Sequence, residues 1–282
     1  MLWIGQHTNF ADAVYRRMRA CSVPERGCAA TFDIFPNSET PLTLDRSNID
    51  DSDERATLLL QWSLPLLLSC LSIDTILQIL GLLLTEMKVI IVCEQLSLLS
   101  AATLGLSSML HPLSWAGPLI TILPPFLQEY MEAPVPLICG VDKLPDTFQC
   151  AKGSAIVRLC ENTVTLHPKD EAISEALKIP GTDALCRDLG IFTRQIKQLT
   201  SARVVPFGVD VIIRRVRRHI EQLLSLCGRL HGEDKSETLS QLSDDSLSFV
   251  GGFMRTQLYQ KYRDDRTVIA PPPFEGRIES ST

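Results

Sequence analysis

The side chains able to make or break bonds are present in this chain, but their spacing does not assemble them. Nine cysteines form no Cys-x-x-Cys pair and have no histidine at a zinc-ligand spacing, so neither a disulfide framework nor a zinc site is expected. No Gly-x-Gly-x-x-Gly, Gly-Lys-Ser/Thr, His-Glu-x-x-His or Gly-x-Ser-x-Gly run occurs, which leaves no phosphate loop, zincin helix or nucleophile elbow to read. Ser107 and Ser108 sit in an apolar stretch where packing or a bond back to the preceding turn accounts for them. His111 precedes a proline at a helix end, where a bond to the last carbonyls suffices. Glu86, just ahead of an aliphatic run, either pairs locally with Lys88 or is read by a partner. The local pair is the preferred reading, because half-buried carboxylates are usually paired. Covalent catalysis and a cofactor are therefore not expected, and recognition through a surface is what remains.

The elements that would present such a surface lie between residues 82 and 141. Residues 87–93 carry four β-branched aliphatics in a row and read as a buried strand, and 96–110, rich in Leu, Ala and Ser, read as a helix stopped by His111-Pro112. Trp115 falls in a turn. Residues 118–124 are a second aliphatic run fenced by prolines, 126–132 a short helix, and 135–141 a third run. Strand, helix, strand, helix, strand implies right-handed crossovers and a mainly parallel central sheet flanked by helices, an α/β fold whose strands are continuously apolar because both faces are covered.

Composition sets further bounds. The 282 residues carry a net charge of −6, which argues against a nucleic-acid partner. Asp12 and Arg16 interrupt the first residues before any long apolar run forms, so no secretory signal is expected and the cytosol is the expected compartment. Residues 1–55 are heterogeneous: 10–19 suggest a short basic helix, 22–53 an exposed connection, and the acidic run 50–54 a solvated linker ahead of the next helix. Residues 58–84 read as two leucine-rich helices, both largely buried, the first containing Pro65 and a core Trp62, the second capped by Ser72 or Asp74. Alternation on both sides of Glu161-Asn162 predicts a hairpin over 155–166. Weak helical signals follow at 171–178 and 191–199.

Residues 209–230 are clearer: Ile212, Val216, Ile220, Leu223, Cys227 and Leu230 share one face of a helix, with Arg214 and Arg218 opposite. Arg214, Arg215, Arg217 and Arg218 form the one dense basic run, either a solvated face balanced by Glu221 or a contact for anionic membrane or an acidic partner. The solvated face is preferred. Residues 232–246 read as a polar mobile loop, 249–263 as a last helix with an aromatic stripe at Phe249, Phe253, Tyr259 and Tyr262, and the proline-led tail 266–282 as disordered.

The wording of four blocks then carries more than their order. Leu82-Leu83-Leu84-Thr85-Glu86-Met87-Lys88-Val89-Ile90, Leu110-His111-Pro112-Leu113-Ser114-Trp115, Ile120-Thr121-Ile122-Leu123-Pro124 and Ala133-Pro134-Val135-Pro136-Leu137-Ile138-Cys139-Gly140-Val141 closely resemble, in sequence and spacing, the core of the DENN domain. The resemblance implies a core region over 56–168, a downstream helical region over 169–265, and in 1–55 a linker or only part of the upstream region. It implies a guanine-nucleotide exchange factor for a Rab GTPase, cytoplasmic and peripherally associated with vesicle or endosomal membranes. The family also has a hairpin near 155–166, whose first strand usually carries two aspartates where this chain has Arg158 and Cys160. That departure alters any contact those acids would make.

Because open parallel sheets present ligands at strand ends, the expected partner contacts are Glu94 and Gln95 after the first strand, Trp115 and Gly117 before the second, and Asp142 and Lys143 after the third. Trp115 reads equally as a core residue. Two rival classes stay open. The short upstream part suits a DENN-fold scaffold or adaptor without exchange activity. An integral membrane protein is suggested by the uncharged stretches 56–73 and 95–128, since ~20 apolar residues span a bilayer. Prolines, serines and glutamines within both stretches speak against that class, because they leave polar groups unpaired in lipid.

Overall fold

Short strands with a continuous aliphatic pattern need hydrogen-bonded partners and cover on both faces, and the arrangement of the chain supplies both. The computed structural model describes residues 12, 15–17, 19–32, 42–46, 48–199, 207–231 and 235–269. They fall into two compact units, 1–55 and 56–282. In the first, β1 (Ala29–Phe32) and β2 (Leu42–Asp45) pair antiparallel, and Gly27, at φ +73, donates its N–H to Arg46 O at 2.8 Å. Arg46 grips Glu54 through two guanidinium nitrogens at 2.9 Å, which raises the pKa of the arginine and lowers that of the acid, and Asp51 pairs with Arg26. The acidic run is thus not a solvated linker. It forms the first turn of helix α1 (Asp51–Cys70), where negative charge is favoured and two arginines complete its pairing.

The second unit is built on a sheet of order β4-β5-β3-β6-β7. Strands β3 (Lys88–Val92), β4 (Leu119–Ile120), β5 (Ile138–Val141) and β6 (Ser154–Arg158) run parallel, and β7 (Thr163–Leu166) returns antiparallel to β6 as the hairpin the alternation predicts. Val89 and Ile91 face a core made with α1, α2 (Ile73–Leu84), α3 (Leu96–Ser108) and the C-terminal helices. Ile90, with Cys139 and Val141, faces a smaller cluster closed by Leu123, Met131 and Leu137. The second face is therefore covered by a 3-10 helix (Pro125–Glu132) and the loop after β5, not by an α-helix. The apolar runs at 118–124 and 135–141 pair over only two and four residues, because Pro118, Pro124, Pro134 and Pro136 have no N–H to give to a ladder.

Helix α1 buries the side of Ala56, Leu60, Ser63, Leu64, Leu67 and Leu68, so Leu58 and Trp62 fall on its open side; Trp62 is 49% exposed instead of packed in the core. Ser72 caps α2 by accepting from Thr75 N at 3.2 Å. Among the described residues no single helix is long and apolar enough to cross a membrane. The pair α1 and α2 has the length and composition only together and is bent by 118° at its break.

Downstream, α4 (Pro168–Glu171) and a 3-10 turn (Ser174–Leu177) replace the helix expected over 171–178, and α5 (Thr182–Leu199) begins well before 191. The long helix is α6 (Phe207–His231), and its predicted apolar face, Ile212 through Leu230, is buried. The loop expected over 232–246 contains α7 (Lys235–Ser240) and the start of α8 (Asp244–Phe253), which Ser243 caps through Ser246 N at 3.3 Å; residues 232–234 lie outside the described residues, as does the tail from 270. The single last helix is broken into α8 and α9 (Gln257–Ile269), because Thr256 Oγ1 accepts from Tyr259 N at 3.2 Å and opens a new helix. All four residues of the aromatic stripe still pack inward, Tyr262 only partly.

The local Glu86–Lys88 pair is not formed. Glu86, held at φ +56, turns its Oε1 to accept from Leu258 N at 2.8 Å, a carboxylate at the N-terminus of α9 that ties the strand entrance to the C-terminal helices. Lys88 is buried instead, donates Nζ to Met131 O at 2.7 Å, and has its pKa lowered by that burial. Glu86→Ala is expected to lower stability by ~1–2 kcal/mol in urea unfolding, and Glu86→Gln by less, because the amide oxygen still accepts. Equal losses in the two variants would rule out the capping role.

His219 on α6 is largely buried, its Nε2 without a partner among the described residues, and burial lowers its pKa against a smaller upward pull from Gln222. The unfolded chain therefore binds the extra proton first. Stability is full above the ordinary value of about 6.5 and falls as pH drops from there toward the lower folded value. The melting temperature should drop on acidification through this window, and the drop should shrink in His219→Gln.

Candidate functional site

Parallel pairing brings three strand ends to one edge. Val92 stands opposite Val141 of β5 on one side and Arg158 of β6 on the other, and the ladder closes with Cys93 N to Val141 O at 3.1 Å and Leu159 N to Val92 O at 3.2 Å. Just beyond, the chain leaves each strand over a cleft of about 610 Å³ whose polar lining includes Glu94, Gln95, Asp142, Lys143, Arg158 and Glu161. Gln95 is also the residue from which α3 starts, so the positive end of that helix lies at the same edge.

The side chains here are mostly exposed and of both signs. Lys143 Nζ lies 3.5 Å from Glu94 Oε1, Arg158 Nε 3.7 Å from Glu161 Oε2, and Asp142 Oδ1 accepts from the Lys143 N–H at 2.8 Å, which fixes the turn out of β5. Open pairs of this length contribute little to stability and exchange partners readily.

Four of the six residues expected to contact a partner, Glu94, Gln95, Asp142 and Lys143, are thereby brought together. Trp115 and Gly117 are not. They precede β4, and since β4 runs parallel to β5 they stand at the opposite edge of the sheet. Trp115 is half-buried against the main core and donates Nε1 to Pro118 O at 3.2 Å. A side chain on Gly117 would run into Pro136 O and the Trp115 ring, so glycine permits the close approach of two backbone segments.

Arg158, Cys160 and Glu161 are cleft residues that the strand-end reading leaves out. The signal was present, in that Arg158 and Cys160 stand where the DENN resemblance leads one to expect aspartates, but only the pairing of β6 beside β3 carries them to this edge.

Among the described residues no three His, Cys, Asp or Glu side chains gather to hold a metal ion. Burial raises the pKa of Cys93, which lines the cleft, and pushes the thiols of Cys139, Cys186 and Cys227, which lie elsewhere, up to about 12, so these thiols are protonated at neutral pH. What the site offers is an exposed, mixed-charge rim on a rigid sheet edge.

A family model for the DENN (AEX-3) domain matches residues 8–160, more than half of the chain and all of the cleft up to Cys160. The chain belongs to the DENN domain family. DENN domain-containing protein 2D of Mus musculus is 26% identical to this DENN chain over 272 residues, covering 93% of this chain and 56% of the relative. The same-named protein of Homo sapiens is 28% identical over 225 residues, covering 75% and 46%. DENN domain-containing protein 1A of Homo sapiens is 35% identical over 69 residues, 24% of this chain and 7% of its own. The chain thus spans about half the length of the 2D relatives it matches.

The basic run on α6 does not form one patch. Arg214, Arg215 and Arg218 are exposed, whereas Arg217 is half-buried and donates Nη2 to Thr57 Oγ1 on α1 at 3.3 Å. No ion pair among the described residues joins Glu221 to Arg214, Arg215 or Arg218. Because the rim pairs are open, Lys143→Glu and Arg158→Glu are each expected to change folding stability by less than about 0.5 kcal/mol in thermal melts. A large loss would mark the residue as structural and remove it from the candidate contact set.

Proposed function

We propose that this DENN-family chain promotes guanine-nucleotide exchange on a Rab GTPase, binding the nucleotide-free form at the strand-end cleft. The observation that carries the reading is the convergence of Glu94, Gln95, Asp142, Lys143 and Arg158 on one rigid edge inside the segment matched to the DENN domain. The physical demand is modest. A protein that binds the nucleotide-free GTPase more tightly than the GDP form must weaken GDP binding by the same factor. A thousandfold effect asks for ~4 kcal/mol of differential binding, within reach of a few charge-assisted contacts. The same reading expects the protein in the cytosol, peripherally held on vesicle or endosomal membranes.

A second reading, a DENN-fold scaffold or adaptor without exchange activity, is favoured by the cleft's altered charge, with Arg158 and Cys160 at positions where the resemblance leads to aspartates. Nucleotide-release assays against a panel of Rab GTPases separate the two. Exchange predicts faster GDP release from at least one GTPase, tighter binding of its nucleotide-free form, and about a tenfold or greater loss in Lys143→Glu with folding intact. Equal affinity for the nucleotide-free and GDP forms, with no accelerated release, would reduce the chain to a tether.

A further inference from the structure

Apart from the strand-end cleft, residues of α5 and α6 line a second cleft of about 450 Å³. Three arginines of α6 line it, Arg215 and Arg218 at one end and Arg229 at the other, against a single acid, Asp188 of α5. All three are exposed, and none is ion-paired among the described residues, in a chain whose net charge is −6. The lining between these ends is apolar: Pro180 at the rim, Leu226 on α6 and Leu242 from the turn after α7, each only half-buried, over the buried Leu185 and Leu223. The first turns of α5 line it beside Gly181. At φ +83, Gly181 lies so close to the partly buried His219 ring that an added Cβ would sit 3.3 Å from it.

We infer that this cleft is a docking groove for an acidic amphipathic peptide segment, with carboxylates at its two ends and apolar side chains between them. Position and spacing select that occupant. Arg218 and Arg229 are eleven residues apart on one helix, about three turns or ~16 Å along the axis. A ligand using both ends must carry separated negative charges, and it must cover the half-buried leucine surface between them. A peptide of about 14 residues lying as a third helix beside α5 and α6 has the length to run from Arg215 to Arg229 at ~1.5 Å per residue. A compact phosphate or a lipid headgroup satisfies one end only and leaves the apolar floor open to water. The groove lies away from the cleft assigned to the GTPase and stands whether or not that assignment holds.

The test uses the full chain and a fluorescently labelled synthetic peptide of about 14 residues, with glutamates at both ends and leucines in the middle, read by fluorescence anisotropy. Binding should weaken by about tenfold or more in Arg229→Glu and, separately, in Arg215→Glu/Arg218→Glu, and should also weaken at about 0.5 M salt. A peptide of the same composition with its acids moved to the centre should bind at least about tenfold more weakly. Leu226→Asp should weaken the acid-ended peptide without abolishing the salt dependence. Circular dichroism and thermal melts confirm that the variants remain folded. The proposal is overturned by an Arg229→Glu variant that binds unchanged or by equal binding of the rearranged peptide. It is overturned as well if the peptide does not bind while pyrophosphate or vesicles containing a phosphoinositide do, since those outcomes describe a one-ended phosphate site.

Discussion

Strand β3 is the constraint on which the rest of this structure hangs. Its five residues pair with β5 on one side and β6 on the other, both in parallel register, and Val89, Ile90 and Ile91 are shut away from water on alternate faces. Burying each such side chain is worth roughly 1.5–3 kcal/mol, an upper estimate because the unfolded chain already hides some of that surface. Parallel partners cannot be reached by tight turns, so each neighbour arrives by a crossover: α3 and β4 intervene before β5, and a loop before β6. The direction of β3 therefore fixes where every following segment leaves the sheet. It is the reason that Glu94, Asp142 and Arg158, 64 residues apart at the extremes (158 − 94), meet at one edge.

The C-terminal helices are joined to this sheet by burial and by polar contacts. The apolar face of α6 shares a core with β3, α1 and α2, while Glu86 at the entrance of β3 accepts from the first turn of α9, and Arg217 of α6 reaches Thr57 of α1. These contacts link residues more than 150 positions apart, so the region from 56 onward behaves as one packed lobe. A surface read at the strand ends and one read on α5 and α6 thus belong to one compact unit. The first is mixed in charge and set by strand ends; the second is basic at its ends, apolar in between, and set by one helix face.

Much of this was legible in the residues. Aliphatic runs broken by prolines gave the strands, the 3.6-residue spacing from Ile212 to Leu230 gave α6 and its buried face, and Ser72 announced the start of α2. Where reading by pattern failed, the cause was tertiary. Trp62 is as apolar as a core residue, yet it falls on the open side of α1 and stays half-exposed. Polar residues over 235–246 suggested a loop because caps and short helices there depend on Ser243 and on contacts with α6. A dense basic run looked like one patch, but the helix turns Arg217 inward and leaves Arg215 and Arg218 to share a groove with a distant Arg229.

By itself, the order of residues determined the strands and helices of the core from 73 to 166, the buried face of α6, and that this is a DENN-type α/β lobe, because these follow from local periodicity and short-range wording. Only the folded chain decided which side chains stand together. Whether Trp115 shares an edge with Lys143, what Glu86 holds, and that Arg158 enters the cleft all depend on strand order and direction, and those are set by long-range packing that no window of sequence contains.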